Sequence, residues 1–69
     1  MFDKDRFVKE VKAKGLRMQT VAEAMGIDRT TLYRKLNGGP EFTLREIQGC
    51  MSFFSDEEVK EIFFAERVS

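Results

Sequence analysis

Apolar residues recur along this chain of 69 residues at spacings of three and four, which is the pattern of helices with one buried face. Five segments show this pattern, and we predict helices over residues 3–14, 18–25, 28–37, 43–53 and 55–66. The predicted core positions are Phe7, Val8, Val11, Leu16, Val21, Ala22, Met25, Ile27, Leu32, Leu36, Leu44, Ile47, Met51, Phe54, Val59, Ile62 and Phe63. The pattern therefore predicts an all-α fold with one core.

The predicted helix ends coincide with residues that cap helices. Asp3 and Asp28 are the first residues of the first and third predicted helices, where a carboxylate accepts hydrogen bonds from free backbone amides. Gly15 and Gly26 are suited to end the first two helices, since glycine adopts left-handed backbone angles easily. The last two helices each begin with a capping-box pattern, a hydroxyl residue followed three positions later by glutamate. The two boxes are Thr43 with Glu46 and Ser55 with Glu58.

The segment over residues 18–37 is the part around which the rest of the chain is organised. It contains two short predicted helices joined at Gly26, and the small side chain of Ala22 allows these helices to cross closely. The later of these two helices, over residues 28–37, presents a polar face. No acidic residue occurs between positions 29 and 40. This face comprises Arg29, Thr30, Tyr33 and Arg34, with Lys35 at its flank. Such a face suits an anionic partner.

The same segment carries a specific order of small and aliphatic residues. Ala22 is followed four positions later by Gly26, then by Ile27 and by the aliphatic Leu32, with KGL at 14–16 and NGG at 37–39 on either side. With this order the chain resembles the helix-turn-helix proteins of the phage Cro and repressor family, the XRE-like transcriptional regulators. The resemblance implies a single compact five-helix lambda-repressor-like DNA-binding domain over residues 1–69, with the helix-turn-helix as its second and third helices.

The resemblance also implies which side chains contact DNA. At base edges in the major groove it places Arg29, Thr30 and Arg34. Along the sugar-phosphate backbone we expect Lys14, Arg17, Gln19, Tyr33, Lys35, Asn37 and Gly38. Family members often have glutamine where this chain has Met18, and Gln19 follows one position later. The alternative for each side chain is an exposed residue without a partner, and for Asn37 and Gly38 a plain connection between helices.

The function implied by the resemblance is sequence-specific binding of double-stranded DNA by a transcriptional regulator. We expect a phage or prophage repressor or Cro-type protein that acts in the cytoplasm. A bound homodimer would cover a promoter and exclude polymerase, with half-sites about 34 Å apart. We expect no small-molecule effector.

The distribution of charge fits this function better than the total does. The net charge is zero, but residues 1–40 carry nine basic and five acidic residues, which gives +4. Residues 41–69 carry three basic and seven acidic residues, which gives −4. Because phosphates respond to the field within about 8 to 10 Å, a basic face can bind DNA on a neutral protein.

An alternative function uses the other half of the chain. A protein-interaction module, such as an antirepressor or an antitoxin-like component, would keep the same fold but bind through its acidic, Phe-rich C-terminal half. The zero net charge and Met18 favour this alternative, whereas the basic face of the third helix favours DNA binding. A steep fall of affinity with salt separates the two, because counterion release accompanies phosphate binding.

Composition argues against several other classes. The chain has one cysteine, Cys50, and no histidine, so it has no internal disulfide, no ligand set for structural zinc and no His-dependent catalytic triad. We therefore expect neither an enzyme nor a protein with a cofactor or metal. No apolar run approaches the roughly 20 residues that cross a bilayer, so we expect no membrane partner.

Two pairs of adjacent phenylalanines occur near the C-terminus, Phe53 with Phe54 and Phe63 with Phe64. Neighbouring side chains on a helix diverge by about 100°, so a small core cannot hide all four. The exposed rings either wrap the end of the core or form a self-association surface. On the second interpretation, the protein is a twofold dimer through Phe53 or Phe64.

Overall fold

The computed structural model describes residues 1–65, which form five α-helices and no strand. The helices are α1 (Lys4–Ala13), α2 (Met18–Met25), α3 (Arg29–Leu36), α4 (Leu44–Cys50) and α5 (Asp56–Phe63). The all-α class and the number of helices are thus confirmed. Four helices end earlier than predicted, α1 and α3 by a single residue and α4 and α5 by more. α4 stops at Cys50 and is followed by a turn, and α5 stops at Phe63, whereas the predicted end at Glu66 lies outside the described residues.

The helix starts follow from the capping residues that the sequence indicates. The side chain of Asp3 accepts a hydrogen bond from the amide of Arg6 at 3.0 Å, and that of Asp28 accepts one from the amide of Thr31 at 2.7 Å. Both predicted capping boxes form, at the starts of α4 and α5. α2 differs, because Arg17 occupies its cap position without a side-chain hydrogen bond to the helix. Its first amides therefore lack a side-chain partner of this kind.

One core holds the helices together, because α2 packs against both α3 and α4, α1 packs against α5, and α4 also contacts α5. Phe7, Leu32 and Ile62 are among its fully buried side chains. Within residues 1–65, the buried apolar residues are Phe7, Val11, Val21, Ala22, Met25, Leu32, Leu36, Ile47, Cys50, Phe54, Val59, Ile62 and Phe63. The domain measures 35 × 24 × 19 Å. Among the helices of residues 1–65, none combines the length and apolar character that crossing a lipid bilayer requires.

The closest approach between α2 and α4 occurs at Gly49. A Cβ atom at this position would overlap the carbonyl oxygen of Ala24 and would lie 3.0 Å from the Cα of Met25. Ala22, the small residue that the sequence pattern singles out for a helix crossing, is fully buried on the same helix. Ala22 is therefore buried as expected, but the direct contact between the two backbones is at the partly buried Gly49.

The predicted core stripe of α4 is wrong at two positions. Leu44 is 68% exposed and Met51 is 47% exposed, whereas the neighbouring Glu46 and Cys50 are buried. The inward face of α4 includes Gly49, because the glycine allows α4 to approach α2. Leu44 and Met51 lie on the other side of Ile47 and face away from the core. A stripe drawn from apolar residues alone misses this rotation, since it ignores glycine and a buried carboxylate.

Candidate nucleic-acid interface

The turn between α2 and α3 fixes how α3 leaves the core. Gly26 has a φ of 78°, which ends α2, and the amide of Ile27 then donates to the carbonyl of Ala22 at 3.0 Å. Asp28 caps α3, and two turns of that helix bury Leu32 and Leu36. With these leucines inward, the opposite face of α3 is exposed to solvent.

An open concavity is formed by this exposed face together with the loop that follows it. Its lining residues are Arg29, Thr30, Tyr33, Arg34, Asn37, Gly38, Gly39 and Pro40. The structure thus brings together all three residues predicted to contact bases. It adds three of those predicted to contact the DNA backbone, namely Tyr33, Asn37 and Gly38. Gly39 and Pro40 were not among the predicted contacts.

The electrostatics of the concavity favour an anion. No acidic side chain lines it, and within residues 1–65 no carboxylate oxygen lies within 4 Å of the guanidinium groups of Arg29 and Arg34. Tyr33 is 45% exposed. The nearest acid in sequence is Asp28, and hydrogen bonds from Thr31, helped by the charge of Arg34, lower the pKa of its carboxyl group. Asp28 is therefore an ionised cap, and its Oδ1 atom is bonded to the Thr31 amide.

The loop after α3 is folded against the end of that helix. Gly38 has a φ of 88°, and the amide of Gly39 donates to the carbonyl of Arg34 at 2.8 Å. A Cβ atom on Gly39 would lie 2.6 Å from the same carbonyl oxygen, so no larger residue fits without movement of the backbone. The loop is consequently held at the edge of the concavity, next to Arg34.

Lys35, a predicted backbone contact, lies in a different environment. Its ammonium nitrogen is 2.6 and 2.7 Å from the two carboxylate oxygens of Glu46, and its side chain is only 9% exposed. It also lies 5.9 Å from the centre of the Phe42 ring. The ammonium group ties α3 to α4, and a phosphate contact by Lys35 would require this ion pair to open. The DNA contact of Lys35 stays a prediction.

Three other predicted backbone contacts do not line the concavity. Lys14 is bound to Glu58 of α5 at 3.0 Å, and its ammonium group lies 5.6 Å from the centre of the Phe54 ring. A phosphate contact by Lys14 would require this ion pair to open. Arg17 and Gln19 are exposed at the start of α2, beside its uncapped amides. The DNA contacts of these three residues stay predictions.

Sequence reasoning missed one basic residue beside the concavity. Lys4, the first residue of α1, donates a hydrogen bond from its ammonium nitrogen to Oδ1 of Asn37 at 2.7 Å. The two residues are 33 positions apart, so the contact depends on how α1 docks near the end of α3. From sequence alone, Lys4 belongs to the solvated side of the first helix, and no periodic signal indicates this neighbour.

The four C-terminal phenylalanines divide as the sequence indicates. Phe54 and Phe63 are buried, Phe53 is half-buried against the core, and Phe64 is 55% exposed. The expectation that the core cannot hide all four rings is thus confirmed. Exposed apolar surface also occurs at Leu44 and Met51. Self-association through Phe53 or Phe64 stays a prediction.

Comparison of this chain with protein-family models, with curated protein sequences and with solved structures found no match.

Proposed function

We propose that this protein is a sequence-specific double-stranded DNA-binding transcriptional regulator with a lambda-repressor-like fold. In this proposal α2 and α3 are the two helices of a helix-turn-helix, and α3 enters the major groove. The observation that carries the proposal is the open concavity, in which Arg29, Thr30 and Arg34 lie together without an acidic side chain. A helix whose exposed face carries unpaired arginines suits the negatively charged groove and its flanking phosphates.

The chemistry of the lining residues matches the two kinds of contact that DNA offers. An arginine can donate two hydrogen bonds to O6 and N7 of guanine, and a threonine can bond a base or touch a thymine methyl group. Arg29, Thr30 and Arg34 supply these groups. The hydroxyl of Tyr33 and the amide groups of the loop can donate to phosphate oxygens, which positions the protein on the duplex. The concavity thus contains groups for both specificity and placement.

Regulation would follow from occupancy of a promoter. A homodimer formed through Phe53 or Phe64 would place two copies of α3 on half-sites about 34 Å apart and exclude polymerase. This is the mode of action expected for a phage or prophage repressor or Cro-type protein, acting in the cytoplasm. The exposed ring of Phe64 supports the dimer part of the proposal.

The test is selection of bound duplexes from a random pool, followed by comparison of two arginine variants. Arg34→Ala should weaken binding to the selected duplex by about 1 to 3 kcal/mol and relax the preference at one base position. Arg45→Ala is the matched control, because Arg45 is an exposed arginine on α4 that does not line the concavity. Wild-type affinity and wild-type base preference in Arg34→Ala would contradict the assigned role, as would a selection that enriches no sequence.

A second candidate function is supported by the C-terminal half. Leu44, Met51 and Phe64 are exposed apolar side chains, and α5 carries exposed acids at Glu57 and Glu61. These features suit a protein-interaction module of the antirepressor or antitoxin-like kind. Measurement of DNA binding at low and moderate salt distinguishes the two functions. Steeply salt-dependent binding supports the regulator, and a lack of DNA binding favours the interaction module.

A further inference from the structure

The start of α1 is held firmly beside the loop that follows α3. The amide of Asp3 donates to the carbonyl of Ile62 at 2.6 Å, while its side chain caps α1. The ring of Phe2 lies 4.9 Å from that of Phe42 and 5.4 Å from that of Phe63, measured between ring centres. The backbone on the N-terminal side of Lys4 is thus anchored both by hydrogen bonds and by aromatic packing.

Lys4 binds a neutral partner and keeps its charge uncompensated. Its ammonium nitrogen donates to Oδ1 of Asn37 at 2.7 Å. Within residues 1–65, no carboxylate oxygen lies within 4 Å of this nitrogen, although Asp3 and Asp5 flank Lys4 in sequence. An ammonium group has three donors, so further donors are available after the bond to Asn37. The surroundings of the Lys4 ammonium group thus differ from those of Lys14 and Lys35, which are both paired with glutamates.

The bond from Lys4 also sets the orientation of the Asn37 side chain. Lysine can only donate, so the amide oxygen of Asn37 must face the ammonium group and its NH₂ group must point away. The next residue, Gly38, is exposed, and its backbone amide has no acceptor within the part of the chain that the structure describes. Three kinds of donor therefore occur at this corner: an ammonium, a side-chain amide and a backbone amide. Glu41 also lines the groove that Lys4 and Gly38 share, but its carboxylate forms no ion pair with Lys4.

This corner adjoins the concavity of α3. Asn37 and Gly38 line the concavity, and Gly38 also lines a neighbouring groove together with Lys4. We propose that Lys4, Asn37 and Gly38 together bind one phosphate of the DNA backbone, so that α1 contributes to the interface beside the face of α3. This inference rests on the proposed DNA-binding function. It adds to that function a contact from α1 and a positioning role for the Lys4 to Asn37 hydrogen bond.

The first experiment measures affinity against salt for Lys4→Met, with Lys9→Met as the matched control. Lys9 is an exposed lysine of the same helix that makes no hydrogen bond or ion pair within residues 1–65. Lys4→Met should weaken binding to the selected and to a scrambled duplex by the same factor. The loss of affinity between about 50 and 200 mM salt should become smaller by a factor of about 3.5, the share of one phosphate contact. Lys9→Met should match wild type, and Lys4→Arg should restore the wild-type salt dependence.

The second experiment locates the contact on the DNA. Single phosphates of the selected duplex are replaced by neutral methylphosphonates, and each duplex is titrated with wild type, Lys4→Met and Asn37→Ala. We expect one phosphate at which neutralisation weakens wild type but has little effect on Lys4→Met, and a reduced effect on Asn37→Ala at the same position. A general loss of folding would weaken binding without removing sensitivity at one phosphate.

The outcomes separate this inference from the proposed function. If wild type binds the selected duplex but Lys4→Met keeps the wild-type salt dependence and sensitivity at every phosphate, the Lys4 site is overturned and the regulator stands. If wild type binds no duplex, both proposals fail.

Discussion

The two halves of the protein use their charged residues in different ways. In residues 41–65, the carboxylates of Glu46 and Glu58 complete capping boxes and bind lysines of the other half. In α3, Arg29 and Arg34 have no carboxylate within 4 Å among the described residues. The acidic half thus uses these carboxylates in helix caps and ion pairs. In the basic half, the two arginines of α3 keep charges that could interact with a partner.

Among residues 1–65, three ion pairs join the halves and explain how a neutral protein keeps a basic face. They are Arg6 with Glu61 at 2.6 Å, Lys14 with Glu58 at 3.0 Å and Lys35 with Glu46 at 2.6 Å. The acids compensate basic residues of α1, the first loop and the end of α3, but not the arginines of the concavity. The total charge therefore does not indicate whether this protein has a basic face, whereas the positions of the unpaired charges do.

The largest expected effect is a loss of stability when the packing of α4 against α2 is changed. Gly49→Ala should destabilise the fold by about 3 kcal/mol, because the new methyl group overlaps the backbone of α2 at Ala24. Urea unfolding measures the change, and Gln48→Ala is the control, since Gln48 is the exposed neighbour. A stable Gly49→Ala variant would mean that α4 can move away from α2 at little cost.

A smaller loss of stability should follow from removal of a cation between the halves. Lys35→Met leaves the buried Glu46 carboxylate without its ion-pair partner. This should lower the free energy of unfolding by about 2 kcal/mol, which is below the range for fully buried pairs. The double variant Lys35→Met with Glu46→Gln should recover part of this loss, because no buried charge then lacks a partner. Equal urea midpoints for wild type and Lys35→Met would show that water replaces the lysine without penalty.

Acid should weaken the junction of α1 and α5. The backbone amide of Ser55, followed by the Lys14 ammonium group, lowers the pKa of Glu58 from 4.5 to about 2. Because the folded-state pKa is below the unfolded one, the stabilising contribution is present above about pH 4.5 and is lost as pH falls towards 2. Glu58→Gln should flatten the dependence of the thermal midpoint on pH in this range, whereas Glu57→Gln should not. An unchanged slope in Glu58→Gln would remove Glu58 as a cause of acid sensitivity.

Glu46 should contribute to the same acid response. Burial by itself raises the pKa of Glu46, but hydrogen bonds from Lys35 and Thr43 outweigh burial, and the net pKa is lowered. Its contribution to stability is therefore also lost as pH falls below the ordinary range of a glutamate.

The smallest expected effect on stability concerns the exposed apolar surface of the acidic half. Phe64→Ser should change the free energy of unfolding by no more than about 0.5 kcal/mol, because the ring is mostly in solvent. If Phe64 forms the dimer contact, light scattering should show that Phe64→Ser is monomeric at concentrations where wild type is dimeric. Leu44→Ser, at another exposed apolar position, is the control. A monomeric wild-type protein at high micromolar concentration, without DNA, would remove the dimer proposal.

Local signals in the sequence predicted the features that depend on few neighbouring residues. Asp3, Asp28 and Thr43 cap helices as expected, because a cap needs only the next three residues. Most residues that line the concavity could also be predicted, because α3 and its loop are continuous in sequence. In each case the relevant residues lie within about three helical turns of sequence.

Features that depend on how distant helices dock were not predictable in the same way. Lys35 and Glu46 are 11 positions apart, and nothing in the helical period of either predicts a buried pair. The contact of Lys4 with Asn37 and that of Gly49 with Ala24 depend equally on tertiary arrangement. The exposed Leu44 shows the opposite error, because apolar spacing alone does not fix the rotation of a short helix.

The buried thiol of Cys50 allows local opening of the protein to be measured by chemical labelling. The side chain is fully buried in the core, and desolvation, followed by the negative charge of Glu46, raises the pKa of Cys50 to about 12. The thiolate is the nucleophile that attacks alkylating reagents, so at neutral pH the folded protein should resist iodoacetamide until α4 separates from the core. The labelling rate with and without a bound duplex would then measure how strongly DNA suppresses such openings, without any added probe.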